Sequence, residues 1–93
     1  MQLYAIYDRK MKMFQQQVVA EVNKLAYLRN IADGVKQAEG SLINKHPEDF
    51  DIMVLGELNM ETGIIEPLMP PALVENIAVL MQAATAPLKA VAD

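Results

Sequence analysis

The chain has no cysteine, no tryptophan, a single histidine, and only four glycines, which stand apart from one another as Gly34, Gly40, Gly56 and Gly63. Without cysteine there is no disulfide framework, no thiolate metal site and no thiol nucleophile. Isolated glycines do not build a loop that cradles phosphates, so nucleotide hydrolysis has no support. Nowhere do the roughly 18 consecutive apolar residues of a membrane span occur, and the first residues lack the basic-then-apolar layout of a secretory leader. The expectation is a protein with no membrane association that stays in the compartment where it is made. At 93 residues, 53% of them hydrophobic, one α+β domain is expected over 1–86, with a short C-terminal tail at 87–93.

Positive charge is scarce in the second half. Residues 1–46 carry seven bases against four acids, a net of +3, whereas residues 47–93 carry Lys89 alone against eight acids, a net of −7. Overall acidity opposes non-specific attraction to a polyanion, but a basic first half can still present a phosphate-facing stripe. Head-to-tail or domain-to-domain charge complementarity is an equal reading of the same pattern.

What is present alternates. Over Gln2 to Asp8, Leu3, Ala5 and Tyr7 fall on one face and Gln2, Tyr4 and Ile6 on the other, which reads as a strand. Met11 to Val22 is ambiguous: Val18, Val19 and Val22 favour strand, while Met, Gln, Ala and Glu suit a helix. From Lys24, the spacing of Leu25, Leu28, Ile31, Ala32 and Val35 predicts an amphipathic helix with Asn23 as its N-cap. His46-Pro47 predicts a short helical turn with proline in its first position, and Glu48 and Asp49 at its positive end. Alternation returns at Asp51–Leu58, with Ile52, Val54 and Leu58 on one side and Asp51, Met53, Leu55 and Glu57 on the other. Asn59 to Gly63 has hairpin composition, and Ile64-Ile65 is expected to return antiparallel. Pro67, Pro70 and Pro71 are expected to end that strand and open a second helix with an apolar stripe of Leu73, Ile77, Leu80, Met81 and Ala84.

Two blocks carry a family resemblance. Leu3-Tyr4-Ala5-Ile6-Tyr7-Asp8 and the run Lys45-His46-Pro47-Glu48-Asp49-Phe50-Asp51, followed by Ile52–Leu58 and Asn59–Ile65, resemble the small non-structural proteins of gokushovirus-type single-stranded DNA phages (Microviridae) over residues 1–67. The resemblance implies a second strand over Phe14–Val22, a location in the host cytoplasm, and a role in binding DNA or assisting single-stranded genome synthesis. Glu57-Leu58-Asn59 and Gln15-Gln16-Gln17 depart from the family's aromatic and acidic pattern. The fold expected is a small α+β domain with a mainly antiparallel sheet of about four strands and two helices, in the order ββαββα.

The chemistry available is that of binding. His46 lacks a neighbouring nucleophile or a full ligand set, and a turn residue ahead of proline is the simpler reading, so no catalytic residue, metal site or cofactor is expected. Glu48, Asp49 and Asp51 lack the spacing of a calcium loop. Single-strand recognition needs aromatic platforms beside cations. Arg9, Lys10, Lys12, Lys24 and Arg29 are the candidates for phosphate contact, and Tyr4, Tyr7 and Tyr27 for stacking, Phe14 being the fourth aromatic of this half. Tyr4 and Tyr7 fall on opposite faces, so at least one belongs to the core. Six methionines besides the first, and a third strand apolar on both sides, point to self-association as a dimer. The expected partners are single-stranded DNA, a second copy and other phage proteins; the rival to DNA binding is a homodimeric interaction or scaffolding adaptor.

Overall fold

The computed structural model describes residues 1–85. Four strands, β1 (Gln2–Asp8), β2 (Met13–Glu21), β3 (Phe50–Leu58) and β4 (Ile65–Asn76), form one antiparallel sheet in the order β2-β1-β3-β4. Helices α1 (Lys24–Gln37) and α2 (Leu42–Lys45) and a 3-10 turn (Pro47–Asp49) lie between β2 and β3, and α3 (Ile77–Thr85) follows β4. The domain is therefore α+β as the pattern implies, with three helices in place of the expected two.

Local chemistry accounts for most boundaries. Asn23 has extended backbone and its side chain accepts from the Ala26 N–H at 3.1 Å, which satisfies one orphan donor of α1. Ser41 caps α2 in the same way through Asn44, whose amide in turn donates to the Val35 carbonyl at 2.8 Å and ties α2 to α1. Pro47 opens the 3-10 turn, where its missing N–H costs nothing. At the β3–β4 connection Asn59 accepts from Glu61 and Thr62, and Gly63 takes a φ of +76°, a conformation that favours glycine.

The core occupies one face of the sheet. Tyr4, Phe50, Ile52 and Val54 pack with Tyr27 and Val35 of α1 and Ile77 of α3, supported by Ile6, Val19, Leu28, Ile31, Ile43, Val74, Leu80 and Met81. Every helix contributes to this layer.

Two expectations are corrected. The prolines do not start a helix: β4 runs through Pro67, Pro70 and Pro71, α3 begins only at Ile77, and Leu73 sits on the strand, 61% exposed. As an edge strand β4 has a neighbour on one side only, so a residue with no N–H leaves no ladder bond broken on the other. Four residues, Leu68 to Pro71, stand against the single Leu55 where the register passes from Val54↔Ala72 to Gly56↔Pro67. The second correction concerns β3. Leu55 is an extra residue against β1, between the pairs Tyr4↔Val54 and Leu3↔Gly56, so the alternation shifts there and Leu58 no longer shares a face with Ile52 and Val54. Residues 86–93, with the domain limit at 86 and the tail expected over 87–93, lie outside the described residues.

Candidate nucleic-acid interface

Among the described residues no helix covers the second face of the sheet, and the register defines its surface. Three cross-strand rows lie there: Phe14–Tyr7–Asp51–Asn76, Val18–Ala5–Met53–Leu73 and Ala20–Leu3–Gly56–Pro67. Tyr7 and Phe14 meet edge to face with ring centroids 5.0 Å apart and planes at 65°, and Phe14 is exposed.

The β1–β2 turn continues directly from this pair. Asp8 is buried, and its carboxylate accepts from the N–H groups of Lys10 (2.9 Å) and Met11 (3.1 Å) while its carbonyl accepts from Lys12. Lys12 holds a φ of +58°, which bends the chain back into β2. The result is a turn fixed by the Asp8 carboxylate and carbonyl, with the side chains of Lys10 and Lys12 exposed and in no ion pair among the described residues. Asp8, Met11, Met13, Phe14 and the three glutamines Gln15 to Gln17 line a hollow of about 480 Å³ beside it.

Of the cations named from the sequence, these two stand next to exposed aromatic surface. Arg9 is committed elsewhere: its guanidinium donates to the Glu48 carbonyl and lies 3.7 Å from the Asp51 carboxylate, and its N–H donates to the Asp49 carbonyl. Lys24 follows the α1 cap at the far end of the sheet, beyond the length of β1, about 20 Å away. Arg29 is exposed on α1, among the helices. The five bases thus do not converge on one surface.

The tyrosines divide as well. Tyr4 and Tyr27 are 0% and 4% exposed and stack on each other, so they are core residues and offer no ring to a base. Burial raises the phenol pKa of each; the Glu21 charge adds to the effect at Tyr4, and Tyr4 adds to it at Tyr27. Only Tyr7 of the three reaches the open face. Phe14, which was not singled out as a site residue, joins it there; its position two residues after Lys12 was the available signal.

Charge is segregated along the strands. At the end opposite the basic turn one row reads Glu21–Gln2–Glu57–Glu66, with Glu61 in the adjoining hairpin turn. Near the basic end His46, Glu48 and Asp49 bring one imidazole and two carboxylates within 4.8 Å of one another, His46 Nδ1 lying 3.7 Å from Glu48 Oε2. The side chains of His46 and Glu48 are more than half exposed, and exposed groups of this kind are common without an ion. Sequence reasoning had placed these three residues in one turn without bringing their side chains together.

No helix of the described residues is long and apolar enough to cross a membrane. No curated protein and no solved structure matches the chain. Residues 1–80, which contain the whole sheet, the β1–β2 turn and the start of α3, match the family model described as Phage ORF5 protein, and the chain belongs to that family.

Proposed function

We propose that this phage protein binds single-stranded DNA and assists synthesis or packaging of a single-stranded genome in the host cytoplasm, without catalysis, as its resemblance to the gokushovirus-type proteins of Microviridae implies. The observation that carries the reading is the pair formed by half-buried Tyr7 and exposed Phe14 on the sheet face that no described helix covers, beside Lys10 and Lys12, which form no ion pair among the described residues. Bases stack on exposed aromatic faces without regard to sequence, each contributing about 1–3 kcal/mol, while lysines beside them follow the phosphates. A four-stranded sheet with aromatics on its open face is also the layout by which common single-strand binding modules hold bases. That similarity is one of arrangement alone.

Fluorescence anisotropy of a labelled single-stranded oligonucleotide, titrated with the full chain at two salt concentrations and challenged with duplex DNA, tests it. Single-strand preference and weakening with salt support the reading, and no binding at low salt with high protein overturns it.

A further inference from the structure

The three consecutive glutamines of β2 break the register of the sheet. Between the pairs Tyr7↔Phe14 and Ala5↔Val18, Gln15, Gln16 and Gln17 stand against the single Ile6, so β2 carries two extra residues at this point of the sheet edge. A bulge of this kind bends its strand and re-aims the side chains on it. All three glutamines are exposed, and among the described residues their side-chain amides make no hydrogen bond. Together with Phe14 and Asp8 they line the hollow of about 480 Å³ beside the β1–β2 turn.

We infer that this hollow seats one base of the bound strand and that its glutamines select adenine. The inference rests on the single-strand DNA reading and adds a base preference to it. The chemistry of the lining separates base from backbone. A phosphate only accepts hydrogen bonds, which suits the donor-only ammonium groups of Lys10 and Lys12 in the adjoining turn. A glutamine amide offers a donor and an acceptor side by side, an arrangement that a phosphate cannot use in full and a base edge can. Phe14 supplies the apolar ring on which a base stacks. The three kinds of group that hold one nucleotide thus occur within residues 10–17.

Which base fits follows from the order of its donors and acceptors. In an unpaired strand both the Watson–Crick and the Hoogsteen edges are free to be read. Adenine carries its amino group between two ring acceptors, N1 and N7, so two amides can each form a bidentate pair with it at once. Cytosine and thymine offer an adjacent donor and acceptor on the Watson–Crick edge alone, and the Hoogsteen edge of guanine carries acceptors only.

Asp8 selects in the same direction. Its Oδ1 already accepts from the N–H groups of Lys10 and Met11, and a carboxylate has no hydrogen to give. Such a wall suits the amino group of adenine or cytosine and opposes the carbonyl oxygen that guanine and thymine carry in its place. Adenine meets both conditions.

The test is fluorescence anisotropy with the full chain at low salt and labelled oligonucleotides of about six nucleotides. One is oligo-dT throughout, a second has a single central adenine, and a third has 7-deaza-adenine there, which keeps the amino group and loses N7. The single adenine should tighten binding about fivefold or more, and 7-deaza-adenine should forfeit about twofold or more of that gain. The triple variant Q15A/Q16A/Q17A removes exposed side chains that bond to nothing in the fold, so its far-UV circular dichroism should match the parent. It should bind the oligo-dT and adenine probes equally. Equal binding of those two probes by the parent overturns the inference while leaving DNA binding to stand. A preference that survives in a folded triple variant, or that 7-deaza-adenine leaves untouched, overturns the reading of both edges by glutamine. The 7-deaza comparison decides this on the parent protein even if the variant does not fold. No binding of any probe overturns the DNA reading and the inference with it.

Discussion

Tyr4 of β1 and Tyr27 of α1 stack across the sheet–helix interface with ring centroids 4.5 Å apart and planes inclined by 19°. Both phenols are held above the ordinary value of 10.0, first by burial. The unfolded chain therefore ionises first as pH rises. Stability is intact below about pH 10 and declines as pH passes that value toward the raised folded-state values. Urea midpoints measured from pH 8 upward should fall in the parent and fall less steeply in Tyr27→Phe, which keeps the ring and removes the titrating group. Tyr27→Ala should lower stability by about 3–5 kcal/mol, through loss of transfer energy and a residual cavity.

Asn76 joins three segments. Its amide donates to the carbonyls of Glu48 (3.1 Å) and Phe50 (3.2 Å) and to the Asp51 carboxylate (2.8 Å), while its side-chain oxygen accepts from the Ala78 N–H in the first turn of α3. Asn76→Ala should cost about 1–3 kcal/mol. Asn76→Asp should cost more at neutral pH, because it sets a second carboxylate against Asp51, and part of that excess should vanish once the pair can take up a proton. Chemical denaturation of both variants at pH 7 and pH 4 checks the ordering.

At Gly56, β3 lies close against the backbone of β4. A Cβ built there would lie 2.9 Å from the Pro67 Cα and closer still to the Glu66 carbonyl oxygen, both backbone atoms with no room to move aside. Gly56→Ala should destabilise by about 1–3 kcal/mol or more. Gly34→Ala meets nothing within 4 Å and lies within α1, so it should stabilise by about 0.5–1 kcal/mol. Thermal melts of the two variants should move in opposite directions.

Lysines at the two ends of the sheet should differ in their effect on DNA. K10A/K12A should weaken single-strand binding tenfold or more at low salt and reduce the magnitude of the log–log salt slope by about 1.4, two contacts at roughly 0.7 each. K24A/R29A removes the same charge from the far end of the sheet and from α1, and should change affinity by less than about threefold. Anisotropy titrations at matched salt compare them, and equal losses from both pairs would favour diffuse attraction over a site at the β1–β2 turn.

Much of the fold was legible because its signals are local. Alternation marks β1 and most of β3, Asn23 announces the start of α1, and Pro47 announces the 3-10 turn. What could not be read depends on neighbours. A proline ends a central strand but is tolerated on an edge, and nothing between Ile65 and Asn76 reveals that β4 is bonded on one side only, so its C-terminal half read as helix. The bulge at Leu55 reverses a parity that alternation alone assigns to Leu58. Within the candidate site, the opposite facing of Tyr4 and Tyr7 was visible in their spacing. The burial of Tyr27 under the sheet, the pairing of Arg9 with Asp51 and the arrival of Phe14 beside Tyr7 all follow from contacts across the fold.

The three prolines of β4 also bear on how the protein withstands being made in quantity. A sheet grows into a fibre only if each added chain finds a receptive border on both sides. Here three of the twelve residues of the strand on one border have no amide hydrogen to offer. Uncontrolled stacking through backbone pairing therefore stalls after one addition, at the β2 side. Replacing Pro67, Pro70 and Pro71 by residues that can donate would remove a safeguard against polymerisation even where the individual fold survived.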